Sequence, residues 1–259
     1  MSGRPHPDSP RLPGDVGRRL WWRSLALQAA WNHQRMQNLG LLHLLTPWCH
    51  WRELDADARR RLARRHLGYF NTNPYLAPYI LGGLLRLEDE HRLGRAVPER
   101  LIAGFRDSLS RACGALGDEL MWLGVRPATL LVAALAGWWG GWPWALAAVA
   151  GVAALQLGLR WRALGVGYRR GLDVIQEFEG RRWHRGVAWA QRVALILTGL
   201  LAGLFFAGGR AAATQLGFAQ LAAVGVVGLG VAVLVAQRRS GEVQFLLGLA
   251  LLAGVSLLI

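Results

Sequence analysis

The sequence predicts an all-α integral membrane protein, with an N-terminal region of amphipathic or re-entrant helices followed by a transmembrane helical bundle. Of the 259 residues, 53% are hydrophobic, more than a soluble domain usually contains. Residues 127–159 and 211–236 carry no charged side chain, and each block exceeds the roughly 20 residues that cross the hydrocarbon core as a helix. The formal net charge is +14, and all 30 basic residues are arginines that lie outside these blocks, as in loops held on the cytoplasmic side of a membrane.

The N-terminal half alternates apolar and basic segments. Residues 1–20 contain arginine but no apolar core with a cleavage site, so they are predicted to be a disordered cytoplasmic tail. Within residues 21–127, moderately apolar stretches are flanked on both sides by arginine-rich connectors, the stretches being 25–51, 67–87 and 101–125. Such stretches are expected to enter the membrane and return to the side from which they came, or to lie as amphipathic helices on the inner membrane surface.

Residues 128–259 are predicted to form the transmembrane region. The motif WWGGWPW at 138–144 places helix breakers and interfacial aromatic residues at the centre of an apolar block, which predicts a helical hairpin over 128–159. The basic segment 160–185 is predicted to be a cytoplasmic loop. Further helices are predicted at about 193–208, 215–236 and 243–259.

Motifs for enzyme chemistry are absent from the sequence. No phosphate-binding glycine loop, HExxH, CxxC or GxSxG motif occurs, so no catalytic residue, metal site or cofactor is predicted. Cys49 and Cys113 match no metal or redox spacing and are interpreted as buried apolar residues. The arginines follow membrane topology, not a stripe with interleaved aromatic residues, so no nucleic-acid partner is expected.

Polar residues inside apolar surroundings indicate a binding site. Helical spacing would place Gln28, Asn32 and Arg35 on one face, with Trp31 beside them. The amides supply hydrogen-bonding groups, and the indole supplies a flat apolar face.

Two further segments carry similar groups. Asn71 and Asn73 stand before Pro74, and the glycine-flanked segment 114–117 is predicted to form a turn that presents Asp118. Amides and a carboxylate bridge vicinal hydroxyls, and tryptophan covers the C–H face of a sugar ring, so the combined set favours sugar binding.

A purely structural role is the alternative for two of these residues. Asn73 is suited to cap a helix that begins at Pro74, because asparagine before a proline at the first helical position is a common helix start. Asp118 is suited to cap the helix that it precedes or to pair with Arg126.

Four motifs resemble a known family in order and spacing. They are LQAAWNHQRMQNLGLLHLLTP, YFNTNPYLAPYILGGLLRLEDE, GALGDELMWLGVRP and RWRALGVGYRRG. The chain is similar, over about residues 20–259, to the IID component of the mannose/fructose/sorbose family of the bacterial phosphoenolpyruvate-dependent sugar phosphotransferase system.

This resemblance implies a membrane subunit that is not catalytic on its own. It would pair with a IIC subunit, the heterodimers assembling into a trimer, and bind a mannose-type hexose between the two subunits. Separate IIA and IIB proteins would carry the phosphorylated histidines. The implied location is the bacterial inner membrane, crossed several times, with a cytoplasmic N-terminus.

In such a subunit, the polar residues identified above are expected to contact the sugar. Those expected to line the sugar site are Asn71, Asn73, Asn32, Asp118, Trp31 and Gln28, with Trp122 as a further stacking or packing partner. The alternative is a regulatory scaffold that does not transport sugar and recruits IIB through the arginines of 59–65 and 181–185.

Overall fold

The computed structural model describes residues 11–208 of the chain. Its α-helices, numbered in chain order, are α1 Gly14–Ser24, α2 Asn38–Trp51, α3 Ala56–His66, α4 Ala77–Arg92, α5 Glu99–Leu120, α6 Arg126–Gly140, α7 Trp142–Arg170, α8 Val174–Glu179 and α9 Arg181–Gly208. A π-helical turn, Met121–Val125, connects α5 to α6. The predicted helices 215–236 and 243–259 lie outside the described residues.

Helix α1 overlaps the predicted disordered tail. The prediction is wrong for residues 14–20, because they are helical. Val16, Leu20 and Ser24 recur at a spacing of four and are all buried, which gives this short helix one face that packs against the protein.

Helix α4 is the centre of the N-terminal packing. Twelve of its 16 residues are buried, so protein surrounds it on every side. A β-carbon built on Gly82 would lie 2.3 Å from the Leu164 carbonyl oxygen of α7, and one on Gly167 would lie 2.3 Å from the Tyr79 oxygen of α4. Only glycine at both positions lets the two helix backbones approach this closely.

The segment 160–185, predicted to be a loop, is mostly helical. Helix α7 continues to Arg170, and α8 and the first turns of α9 occupy most of the rest. Ala163, Leu164 and Tyr168 are buried along one face of α7. The flanking Arg162, Arg169 and Arg170 are exposed, and their polarity was misinterpreted as the end of helical structure.

Two continuous helical stretches are long and apolar enough to cross a membrane: Glu99–Gly140 and Trp142–Glu179. None of the most apolar 18-residue window of the second stretch is buried, so its apolar surface is available to lipid. The stretches meet at Gly141, whose φ of 76° ends α6 inside the 138–144 motif. The tryptophans around this glycine are exposed: Trp138, Trp139, Trp142 and Trp144.

Packing divides the chain into two compact units. Among the described residues, the first contains 11–119 and 152–185, and the second contains 120–151 and 186–208. This division differs from the sequence boundary near residue 127, because the contact between α4 and α7 joins 152–185 to the N-terminal helices. Within the second unit, a β-carbon on Gly124 would lie 2.7 Å from the Ala190 Cβ, so the π-helical turn and α9 pack closely.

Candidate functional site

Asn73 and Asp118 form the centre of the candidate site. The Asn73 Nδ2 donates a hydrogen bond of 2.9 Å to the Asp118 Oδ1. Asn73 is only 1% exposed, whereas Asp118 is exposed. The buried amide therefore holds a carboxylate that remains open to the surroundings.

The same asparagine also organises the start of α4. Its Oδ1 accepts a hydrogen bond of 3.0 Å from the Tyr75 N–H, and its carbonyl oxygen accepts from the N–H groups of Leu76 and Ala77. Helix α4 begins at Ala77 and not at Pro74, so Asn73 caps the turn that precedes the helix. The cap uses one end of the amide, and Asp118 binds the other.

Asp118 lies within a helix, so the predicted turn at 114–117 is wrong. Helix α5 runs unbroken to Leu120. Gly117 serves close approach instead, because a β-carbon there would lie 2.4 Å from the Asn73 Cβ. A β-carbon on Gly114 would make only an ordinary contact, 3.8 Å from the Thr72 Cα.

Gln37 also binds the 71–73 segment. Sequence analysis did not identify this residue. Its Nε2 donates to the Thr72 carbonyl oxygen at 2.9 Å, and its Oε1 accepts from the Thr72 N–H at 3.2 Å. One side-chain amide thus satisfies both backbone groups of a buried residue. The signal was the second glutamine of QRMQNLG, which stands beside the amides that were considered.

Asn32 stabilises a loop, and the predicted helical face with Gln28 and Arg35 is wrong. Residues 25–37 lie between α1 and α2 and contain no helix. The Asn32 Oδ1 accepts from the Arg35 N–H at 2.8 Å, and its Nδ2 donates to the Asn38 Oδ1 at 3.0 Å. These bonds favour a loop over a helix, since an asparagine side chain competes well for nearby backbone groups.

The loop nevertheless brings two of the predicted segments together. The Gln37 N–H donates to the Phe70 carbonyl oxygen at 2.8 Å, and the Asn38 Nδ2 donates to the Leu67 oxygen at 2.8 Å. The end of this loop and the first residue of α2 therefore lie beside the segment that leads into Asn71–Asn73.

Gln28 and Trp31 lie in the loop between α1 and α2. Gln28 is exposed, and Trp31 is 46% exposed. The Trp31 and His33 rings pack edge to face, with their centroids 4.8 Å apart. In the second unit, the Arg126 guanidinium carbon lies 4.7 Å from the centre of the Trp122 ring.

Two adjacent acids of α4 form a buried network that sequence analysis did not single out. Asp89 accepts hydrogen bonds from Trp48 Nε1 at 3.2 Å, Arg52 Nη2 at 2.7 Å and the Tyr168 hydroxyl at 2.6 Å. These donors come from the end of α2 and from α7. Asp89 therefore joins three helical segments through one carboxylate.

Glu88 forms a second buried cluster with α3. Its carboxylate accepts two hydrogen bonds from Arg65, at 2.9 and 3.0 Å, and one from His66 at 2.8 Å when that nitrogen is protonated. Burial alone would raise the pKa of Glu88, but the His66 hydrogen bond and the charges of His66 and Arg65 outweigh burial and lower it from its ordinary value of 4.5.

Acid is expected to remove the stabilisation that Glu88 provides. A carboxyl group whose pKa is lowered by folding stabilises the protein above the unfolded pKa, and this contribution is lost as the pH falls through the folded pKa. Glu88→Gln should therefore unfold at a lower temperature than the wild type at neutral pH, and the difference should shrink below pH 4.5. Thermal unfolding in detergent at several pH values measures this, with the exposed Glu179→Gln as the control. A difference that stays constant with pH would contradict the role given to the Glu88 charge.

The pattern of a known family matches this chain over residues 14–208, which include α1 to α9 and every candidate residue. That family is described as the PTS system mannose/fructose/sorbose family IID component. The chain belongs to this family. The resemblance drawn from the four sequence motifs is thereby confirmed.

Curated relatives of this IID-family chain carry consistent descriptions. It is 29% identical over 187 residues to the mannose-specific EIID component of Escherichia coli K12, covering 71% of this chain and 65% of the relative. It is 25% identical over 182 residues to the fructose permease IID component of Bacillus subtilis 168, covering 70% of this chain and 66% of the relative. The chain therefore spans just under two thirds of the length of these relatives.

Solved structures share the fold. One, described as the structure of a membrane protein, matches with a TM-score of 0.67 and 29% identity, covering 73% of this chain and 70% of the other. A cryo-electron microscopy structure of the mannose transporter ManYZ with microcin E492 matches with a TM-score of 0.59 and 27% identity, covering 74% and 71%. The predicted all-α membrane protein fold is confirmed, and this chain is a membrane protein.

Proposed function

We propose that the chain is the IID subunit of a sugar phosphotransferase-system transporter, and that it forms the sugar-binding translocation unit with a IIC subunit. The observation that carries this proposal is the family match over residues 14–208, which includes the ordered Asn73–Asp118 pair. The substrate class is mannose-type hexoses. The chain provides no catalytic residue, and phosphoryl transfer belongs to IIA and IIB proteins.

Asp118 is the group best placed to bind sugar. Its side chain is exposed, and its position is fixed by the buried Asn73 amide. A carboxylate held in one orientation can accept hydrogen bonds from two vicinal hydroxyls. Asn71 is exposed one residue before the buried Thr72, and we assign it a second contact to the sugar.

Asn73 acts through Asp118 in this proposal. Because it is 1% exposed and both ends of its amide are engaged, it positions the carboxylate and does not contact the sugar. Asn32 has a similar indirect role, since it shapes the loop that runs beside residues 67–70. Trp31 presents an exposed ring that can cover a sugar face, and Gln28 stays an outer contact.

The partners follow from the same proposal. The IIC subunit would cover the exposed side of Asp118 and Asn71, and the heterodimers would assemble into a trimer in the bacterial inner membrane with the N-terminus in the cytoplasm. The scaffold alternative is not favoured, because the matched relatives include a mannose-specific component and a fructose permease component.

Sugar uptake by whole cells tests the site. The chain is co-expressed with a cognate IIC subunit, and uptake of labelled mannose is measured with IIA and IIB present. Asp118→Asn keeps the shape and an acceptor for Asn73 but removes the charge. We expect it to weaken apparent sugar affinity about tenfold or more, since a hydrogen bond to a charged group contributes about 1.5–3 kcal/mol.

Glu119→Gln is the matched control, because Glu119 is an exposed acid one residue further along the same helix. It should leave sugar affinity close to that of the wild type. Equal affinity in Asp118→Asn and Glu119→Gln, at equal protein levels, would remove Asp118 from the sugar site. Absence of uptake by the wild-type complex would instead contradict the transport function itself.

A further inference from the structure

Arg160 of α7 is a buried cation that the proposed function has not used. It is 7% exposed, and in the described part of the chain, residues 11–208, no acidic side chain pairs with it. Its Nε is buried and has no hydrogen-bond partner among these residues. A buried charge without an acid costs free energy, and in membrane proteins such residues usually serve function. The contacts of Arg160 indicate which function this is.

Arg160 joins the end of α1 to the turn before α4. Its Nη2 donates to the Ser24 carbonyl oxygen and lies 3.5 Å from the Ser24 Oγ. Ser24 is the last residue of α1, where the carbonyl end of a helix favours a cation. The guanidinium carbon also lies 5.6 Å from the centre of the Tyr75 ring, within the range of a cation–π contact. The charge is therefore partly compensated by α1 and by Tyr75.

Tyr75 belongs to the turn that holds the candidate sugar site. Its N–H donates to the Asn73 Oδ1, and the Asn73 Nδ2 donates to the Asp118 Oδ1. A shift of Tyr75 would turn the Asn73 amide and change the direction of the Asp118 carboxylate. Arg160 is thus connected to Asp118 through Tyr75 and Asn73.

The packing of α7 against α4 fixes the position of Arg160. A β-carbon on Gly82 of α4 would lie 2.3 Å from the Leu164 carbonyl oxygen, and Leu164 stands one helical turn after Arg160. Helix backbones in such close contact have little freedom to slide past each other. The guanidinium group is therefore held in place beside the Tyr75 ring.

We propose that Arg160 is a positioning residue for sugar binding, and that its charge holds Tyr75, and through it Asn73, in the orientation that directs Asp118 at the sugar. This inference rests on the proposed function, because it assigns a further residue to the same site. The charge is the property that matters, since a neutral side chain would attract neither the Tyr75 ring nor the carbonyl end of α1.

Two replacements of Arg160 test the role of the charge, with mannose uptake measured in whole cells that contain IIC, IIA and IIB. Arg160→Gln removes the charge and should raise the mannose concentration for half-maximal uptake about fivefold. Arg160→Lys keeps the charge, and an ammonium can replace the single nitrogen that contacts Ser24. It should retain most of the wild-type affinity. Equal losses in the two variants, at equal amounts of folded protein, would overturn the role of the charge.

Arg162→Gln is the matched control for Arg160→Gln. Arg162 is an exposed arginine two residues further along α7, so the control removes the same charge from the same helix. It should leave the affinity for mannose unchanged. A loss as large as that of Arg160→Gln would show an effect of net charge and overturn the assignment to Arg160.

A double-mutant cycle tests the path through Tyr75. Tyr75→Leu removes the ring and should weaken the affinity for mannose, and adding Arg160→Gln should then cause little further loss, because residues that act through one contact are not additive. A further loss as large as that of Arg160→Gln alone would overturn this path.

Replacements of Tyr75 also test the contact if Arg160→Gln does not fold. Tyr75→Phe keeps the aromatic ring, so it should lose much less affinity than Tyr75→Leu. Equal affinities of these two variants would overturn the cation–π contact as the link to the site.

The outcomes also separate this inference from the proposed function. Absence of mannose uptake by the wild-type complex would overturn the transport function and this inference together. Saturable uptake by the wild type, with the same affinity in Arg160→Gln, would overturn this inference alone.

Discussion

Replacing Asp89 by alanine is expected to destabilise the chain by about 3–5 kcal/mol, the cost of breaking a buried ion pair by removing one partner. The reason is that Arg52, Trp48 and Tyr168 all donate to this carboxylate, which is 2% exposed. Without it, a buried guanidinium and two buried donors lose their acceptor. Denaturant unfolding in detergent measures the change.

Asp57→Ala is the matched control for Asp89→Ala. Asp57 also pairs with an arginine, Arg60, but the two side chains are 73% and 69% exposed. An exposed pair of this kind contributes about 0–1 kcal/mol. Similar losses from the two variants would contradict the central place that we give to Asp89 in the packing of α2, α4 and α7.

Gly117→Ala adds only one methyl group, yet it is expected to reduce sugar uptake at least tenfold. The new β-carbon would lie 2.4 Å from the Asn73 Cβ and 2.6 Å from its Cγ, distances that carbon atoms do not tolerate. Asn73 must move, and the hydrogen bond that orients Asp118 is then lost. Uptake of labelled mannose and the amount of folded protein, measured on the same membranes, separate lost function from lost fold.

Gly104→Ala supplies the comparison on the same helix. Nothing lies within 4 Å of a β-carbon built on Gly104, so alanine there should leave uptake intact and favour helix formation by up to about 1 kcal/mol. If Gly117→Ala transports sugar as well as Gly104→Ala does, the close packing of Asn73 on α5 is not needed for the site.

The sequence predicted the fold class because charge and apolar length are properties of whole segments. The membrane character of the chain required only the uncharged block 127–159 and the arginines on either side of it. Conformation at single positions was harder to predict. Residues 25–37 have helical spacing of polar groups, yet Asn32 accepts a hydrogen bond from the Arg35 N–H and stabilises a loop, a local competition that periodicity does not register.

The candidate site was predicted in part for a related reason. Polar residues in apolar surroundings pointed to Asn73 and Asp118, which the structure joins across 45 positions of sequence. Gly117 was misinterpreted as part of a turn. A glycine can serve either a turn or the close packing of two segments, and sequence alone does not separate these two roles. Gln37 was missed because its side chain binds the backbone of Thr72. Every residue has these backbone groups, so no particular residue type in the sequence indicates the partner.

The hydrogen bonds at both ends of the Asn73 amide also determine which of the two positions, 73 or 118, carries the negative charge. Its Oδ1 must accept from the Tyr75 N–H, and its Nδ2 must donate to the Asp118 Oδ1. An exchange of the two residue types, with aspartate at 73 and asparagine at 118, would restore one bond between them. It would also carry the charge from the open face of α5 into a position that is 1% exposed. The order of amide and acid therefore gives the site its polarity, with the neutral group inside and the anion facing outwards.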